Sequence, residues 1–134
     1  MLNGGAILWA ARKVRIIPDS TAEAETANAS RAAKDTVAIR MVLGDMRIIV
    51  EGATPMLGDC KATKDITTKP GSTPRTKYFE RATLLVKHLF MKNVITPMLI
   101  STEDMVADVF TEALSREKLA KCRQYMNDER RSER

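Results

Sequence analysis

The sequence predicts an α/β or α+β protein with one mixed sheet, and three observations support this prediction. Short apolar runs typical of strands alternate with longer amphipathic stretches typical of helices. The patterns follow the order hairpin, helix, strand, helix, strand, helix. Apolar residues make up 44% of the 134 residues, which is enough for the core of one domain. We expect that domain to cover residues 1–126, with a charged, flexible tail at 127–134.

The chain begins with a predicted hairpin and one long helix. Apolar runs at 5–10 and 14–17 flank two basic residues, a pattern typical of a tight β-hairpin. A capping-box pattern at 20–23 begins the helix, and an Ala-rich stretch extends it to Leu43. Gly44 stands where a C-terminal stop belongs, so we predict that the helix ends there.

The later elements are shorter. Apolar segments predict strands at 46–50, 54–57 and 94–100. Amphipathic spacing or capping residues predict helices at 60–67, 75–92, 101–110 and 115–126. Breakers and small polar residues predict a surface loop at 68–74, and Pro97 suits the edge of a sheet or a bulge better than its centre.

Composition excludes several classes of protein. No apolar stretch approaches the roughly 20 residues of a membrane span, and the N-terminus lacks the pattern of a signal peptide. We therefore expect an intracellular, non-secreted protein. Cys60 and Cys122 lack metal-ligand spacing, and His88 is the single histidine, so we predict two free thiols and an ordinary helix histidine.

Basic charge is concentrated in the middle of the chain. Residues 60–92 contain eight Lys or Arg against two Asp or Glu, whereas the flanking parts are nearly balanced. This segment predicts either a patch that faces phosphates or an ordinary solvated helix face. Composition alone leaves both interpretations open.

Three carboxylates stand at positions where a sheet enzyme could hold a metal ion. Glu25 shares the small apolar stripe of the long helix, whereas Glu23 fits the role of a capping residue. Asp59 directly follows a predicted strand, although it could also cap the next helix. Asp108 lies one turn after Asp104 and is harder to explain by capping. Spacing alone favours the structural roles over a metal site.

Five sequence blocks together resemble a known family. They are Gly-Gly-Ala-Ile-Leu-Trp at 4–9, Ser-Thr-Ala-Glu-Ala-Glu at 20–25, Gly-Asp at 58–59, Pro-Arg-Thr-Lys at 74–77 and Thr-Glu-Asp-Met-Val-Ala-Asp-Val-Phe-Thr at 102–111. In this order and spacing they resemble the ribonuclease H domain that closes Copia-type retrotransposon polyproteins. The resemblance extends from Gly4 to about Met126.

The resemblance implies a catalytic site and a substrate. Glu25, Asp59 and Asp108 match acidic positions of a four-carboxylate site that binds two Mg²⁺ ions and cleaves RNA in RNA–DNA hybrids. Carboxylate oxygens are the ligands that Mg²⁺ prefers, and two such ions can activate water during phosphodiester cleavage. The basic segment would then follow the backbone of the hybrid. The residues expected to bind nucleic acid are Lys61, Lys64, Lys69, Arg75, Lys77 and Arg81.

The chain also departs from the family pattern. The family's first aspartate and its strand have no counterpart, because the sequence begins three residues before Gly4. Cys60 and Lys61 replace the family's polar residues after the second aspartate, and Tyr78 stands where a histidine is usual. We therefore expect a ribonuclease H-like mixed sheet that lacks its first, central strand and has helices packed on it. The hairpin would pair with 54–57, or a partner chain would supply a strand.

Two functions follow from the resemblance and its departures. The first is a retroelement-derived pseudoenzyme without independent nuclease activity, acting as a nucleic-acid-binding or structural subunit of a larger assembly. Its partners would be an RNA–DNA hybrid, a structured RNA or other protein subunits. The alternative is an active two-metal ribonuclease H with Mg²⁺ as its cofactor, whose missing aspartate comes from a partner or an upstream segment.

Overall fold

The computed structural model describes residues 6–11, 20–59, 61, 65 and 77–127. Within these residues the chain is mixed α/β, with three α-helices and a two-stranded parallel sheet. The elements are α1 (Thr21–Asp45), β1 (Thr54–Gly58), α2 (Lys77–Met91), β2 (Ile95–Leu99) and α3 (Arg116–Asn127), with short 3₁₀ helices at Thr102–Asp104 and Val106–Phe110. The predicted combination of helices with a sheet is confirmed.

The chain separates into two compact units. One unit is Val14–Leu99, which contains α1, β1, α2 and β2. The other combines Met1–Lys13 with Ile100–Arg134 and contains the 3₁₀ helices and α3. The domain boundary at residue 126 stays a prediction.

The core of the first unit lies where α1 and α2 meet the sheet. Ala33 of α1, Val86 of α2 and Ile95 of β2 are fully buried against one another. The side chain of Ala33 on α1 is small, so the two helices can approach closely. The residues packed around this cluster are Ala29, Met56, Leu89, Phe90 and Val94.

The long helix α1 begins at the predicted cap. The hydroxyl of Ser20 accepts a hydrogen bond from the backbone N–H of Glu23 at 3.3 Å, which satisfies one of the free donors of the first turn. The hydroxyl of buried Thr26 donates to the carbonyl of Ala22 at 2.8 Å, one turn back along the helix. A polar residue can therefore be buried on α1 without a partner from another element.

Helices α1 and α2 end in the same type of cap. Each is closed by a residue in the left-handed region, Arg47 with φ 60° and Asn93 with φ 54°. In both caps this residue donates three positions back, and the next residue donates five positions back. The four bonds are Arg47 N–H to Gly44 O, Ile48 N–H to Leu43 O, Asn93 N–H to Phe90 O and Val94 N–H to Leu89 O, all 2.8–2.9 Å.

The cap at Arg47 explains two wrong predictions. The helix continues past Gly44 to Asp45, because the left-handed residue that stops it is Arg47. The predicted strand at 46–50 does not form, because its first two residues complete the helix cap. The chain reaches β1 through a turn at Gly52, whose φ of 67° suits glycine.

The predicted strands at 54–57 and 94–100 are confirmed, and they pair in parallel with Thr54 opposite Ile95. The backbone N–H of Thr54 donates to the carbonyl of Val94 at 2.9 Å, so Thr54 faces β2. Because backbone groups alternate along a strand, the nitrogens of Pro55 and Pro97 both point away from the ladder. Both proline nitrogens therefore face away from the partner strand, so the missing N–H removes no bond between β1 and β2.

Two predictions in the second unit are corrected. Residues 6–11 are irregular, so the first arm of the predicted hairpin is wrong, and Ala6 N–H donates to the carbonyl of Met126 at 3.2 Å. The predicted helix at 101–110 is two 3₁₀ helices, because Met105 between them is extended, with φ −74° and ψ 96°. The predicted helix at 115–126 is confirmed as α3.

Several predicted segments fall wholly or partly outside the described residues. They are the second hairpin arm at 14–17, the loop at 68–74, the tail at 127–134 except for Asn127, which is the last residue of α3, and most of the helix at 60–67, of which residues 61 and 65 are helical. The described helices include none long and apolar enough to cross a membrane.

Candidate functional site

Glu25 and Asp59 both belong to the unit Val14–Leu99. Glu25 lies in the second turn of α1 and is half-buried, as is Glu23. Asp59 directly follows β1, as predicted, and its side chain is exposed. The roles of these two residues as metal ligands stay predictions.

Arg40 fixes the start of the strand that leads to Asp59. Its guanidinium donates to the hydroxyl of Thr54 at 2.9 Å and to the carbonyl of Val50 at 3.0 Å. One side chain of α1 therefore holds both the approach to β1 and its first residue. Arg40 is a positioning residue for the start of β1.

Asp108 binds a lysine of the following helix. Oδ2 of Asp108 accepts a hydrogen bond from Nζ of Lys118 at 2.9 Å. The two side chains are 15% and 14% exposed, so this ion pair is largely shielded from water. Hydrogen bonds between ionised groups are about twice as strong as neutral ones, and shielding strengthens them further.

A second ion pair joins the same two parts of the chain. Lys121 donates to Asp104 at 2.5 Å, and these side chains are 46% and 50% exposed. The two ion pairs show that Asp104 and Asp108 both reach α3, on which Lys118 and Lys121 are three residues apart and share one side of the helix. The hydroxyl of Ser115 accepts from the N–H of Lys118 at 3.2 Å and so caps α3.

Both lysines are held in the charged form. The hydrogen bond to Asp108 raises the pKa of Lys118 above its ordinary value of 10.5, against a smaller opposing effect of desolvation. The hydrogen bond to Asp104 raises the pKa of Lys121 in the same way. The ammonium group at Asp108 is therefore charged at neutral pH.

The resemblance implies that Asp108 is a ligand of Mg²⁺, and the ion pair with Lys118 bears on that role. In this conformation Asp108 does not fit the role of a Mg²⁺ ligand, because its carboxylate already holds the ammonium of Lys118. Among the residues that the structure describes, no group of three or more His, Cys, Asp or Glu is arranged to hold a metal ion.

The predicted nucleic-acid contacts are described in part. Lys61 and Arg81 are exposed, and Lys77 is the first residue of α2. Lys64, Lys69 and Arg75 lie outside the described residues. On α2 and just after it, His88 and Lys92 are also exposed, so this helix presents basic side chains to solvent.

Three basic residues that organise these segments are not among those predicted from the sequence. Lys118, Lys121 and Arg40 all contact groups ten or more residues away along the chain. The complementary spacing of two acidic and two basic residues was the one available signal for the lysines. Arg40 carries no such signal, because the groups that it binds are a carbonyl and a hydroxyl.

Cys122, predicted as a free thiol, is buried within α3 and is not in a disulfide, whereas Cys60 lies outside the described residues. A buried thiol in a helix packs as a small apolar side chain.

Comparison with known proteins found no matching family model, no matching curated protein and no matching solved structure.

Proposed function

We propose that this chain is a retroelement-derived, ribonuclease H-like protein that does not cleave nucleic acid by itself and acts as a nucleic-acid-binding or structural subunit. The ion pair between Asp108 and Lys118 carries the proposal. A Mg²⁺ ion at Asp108 would have to displace the ammonium and leave Lys118 charged and shielded without its partner. A partly buried charge without a partner is costly, so this arrangement opposes metal binding.

The order of the elements supports the ribonuclease H lineage. Glu25 lies on the first long helix, Asp59 follows the first strand, and Asp108 follows the second strand. This is the order of the acidic blocks on which the resemblance depends. The parallel pairing of β1 with β2 around a crossover helix is also typical of α/β proteins.

The distribution of charge favours nucleic-acid binding over a purely structural role. The segment 60–92 carries the basic excess, and its described members Lys61, Arg81 and Lys92 are exposed. Exposed lysine and arginine bind phosphates without reading the sequence of bases. We expect a polyanion to bind with little sequence preference.

A cleavage assay tests the absence of activity. The purified chain and the variant Asp59→Asn are incubated with a labelled RNA–DNA hybrid in Mg²⁺ and in Mn²⁺. We expect neither protein to cut the RNA. Metal-dependent cutting by the unmodified chain that disappears in Asp59→Asn would establish the alternative, an active ribonuclease H.

A binding assay tests the role of the basic segment. Affinity for the hybrid is measured over a range of salt concentrations for the unmodified chain, Arg81→Ala and the control Arg116→Ala. Each phosphate contact contributes roughly −0.9 to the slope of log affinity against log salt. We expect Arg81→Ala to lose about that amount and the control to lose none. Equal slopes for all three proteins would place the binding surface elsewhere.

A further inference from the structure

The two lysine–aspartate pairs of the second unit differ in their exposure to solvent. They join the same two segments through the same chemical groups, but Lys118 and Asp108 are about 15% exposed, and Lys121 and Asp104 are about 50% exposed. An exposed carboxylate can exchange a lysine for water or a dissolved ion at little cost. A shielded carboxylate needs a cation that is always present.

Lys118 is placed to be that permanent cation. Its backbone N–H is held by the hydroxyl of Ser115 at 3.2 Å, in the first turn of α3. Its Nζ reaches Oδ2 of Asp108 at 2.9 Å. The helix therefore fixes the base of the side chain, and the ion pair fixes its end.

We propose that Lys118 acts as an internal counter-ion that takes the place of a divalent cation at Asp108. This inference rests on the proposed function, in which Asp108 derives from a metal-ligating position. It assigns the low metal affinity of that position to a single side chain. Removing the positive charge leaves a shielded carboxylate that needs a cation, and a divalent metal ion can supply it.

Binding of Mn²⁺ to the full chain tests the proposal without any measurement of activity. The variants are Lys118→Met, the matched control Lys121→Met and the double variant Lys118→Met with Asp108→Asn. We expect Lys118→Met to bind Mn²⁺ measurably more tightly than the unmodified chain. We expect Lys121→Met to match the unmodified chain and the double variant to lose the gain.

Circular dichroism checks that each variant is folded. If Lys118→Met fails to fold, Lys118→Gln replaces it, because its neutral amide still donates a hydrogen bond to Asp108. An unchanged Mn²⁺ affinity in the folded variant, an equal gain in Lys121→Met or a gain that survives Asp108→Asn would overturn the proposal. Nuclease activity in the unmodified chain would overturn the proposed function and is measured separately, so the two failures are distinguishable.

Discussion

Arg47 occupies a backbone conformation that its side chain disfavours. Its φ of 60° closes α1, a position that glycine fills most readily. The sequence places a glycine three residues earlier, at Gly44, which is why the end of the helix is predicted too soon. Residue identity alone does not reveal this cap, because an arginine gives no signal for a left-handed conformation.

Replacing Arg47 with glycine is expected to stabilise the protein. The left-handed conformation costs a residue with a side chain about 1–2 kcal/mol, and the greater freedom of glycine in the unfolded chain offsets part of the gain. We expect Arg47→Gly to raise the free energy of unfolding by roughly 0.5–1 kcal/mol, measured by urea denaturation.

The cap of α2 offers a matched control. Asn93 has almost the same φ, but asparagine tolerates the left-handed region better than arginine does. We therefore expect Asn93→Gly to stabilise the protein less than Arg47→Gly. The reverse order would show that the backbone conformation at Arg47 is not a source of strain.

The register of the sheet is one that accommodates both of its prolines. Both strands contain Thr-Pro-Met-Leu, at 54–57 and 96–99, yet the two copies pair one residue out of alignment. If the copies were aligned, one proline nitrogen would face the ladder, because the backbone nitrogens of aligned residues in parallel strands point in the same direction, toward the partner on one strand and away from it on the other. The offset turns both prolines outward. The prolines therefore disfavour the register in which the two identical segments are aligned.

Moving a proline by one residue tests this account. The N–H of Met98 faces β1, whereas that of Leu99 faces away, and the two side chains are similarly exposed at 46% and 43%. We expect Met98→Pro to lower the free energy of unfolding by about 1–3 kcal/mol, because it removes a ladder bond. Leu99→Pro is the control, and a similar loss there would contradict the assigned register.

The main elements could be predicted from the sequence, because each depends on a local signal. Spacing of apolar residues predicts α2, and a serine cap with an Ala-rich stretch predicts α1. The 3₁₀ helices could not be predicted, because their acidic start and apolar stripe also suit an α-helix. The ion pairs of Asp104 and Asp108 depend on the placement of α3, which the complementary spacing of acidic and basic residues does not fix by itself.

At the scale of the whole molecule, the site is less predictable than the fold. The resemblance groups Glu25, Asp59 and Asp108 into one site, but it cannot indicate that Lys118 binds the last of them. The residue types of the basic segment 60–92 do not identify its partner, because nucleic acid and acidic protein surfaces both attract basic residues. The charge of this segment indicates a negatively charged partner, and the contacts of Asp108 bear on whether the chain can bind a metal ion and cleave that partner.

The stability of the protein is expected to fall at alkaline pH, where Lys118 loses its proton. Because the pKa of this lysine is raised on folding, the ion pair stabilises the protein fully below about pH 10.5 and stops doing so as pH rises through the raised value. We expect the difference in melting temperature between the unmodified chain and Lys118→Met to narrow as the pH rises above 10.5, the ordinary value of the lysine pKa. A difference that stays constant over this range would contradict the prediction.

The parallel pairing of β1 with β2 also has a consequence during synthesis on the ribosome. Residues that pair across the sheet are separated by about 40 positions, because a parallel pair requires a crossover connection. At 5–20 residues per second, β1 leaves the ribosome about 2–8 s before β2. Through that interval the nascent strand exposes its backbone, and Pro55 removes one of the donors with which another chain could pair.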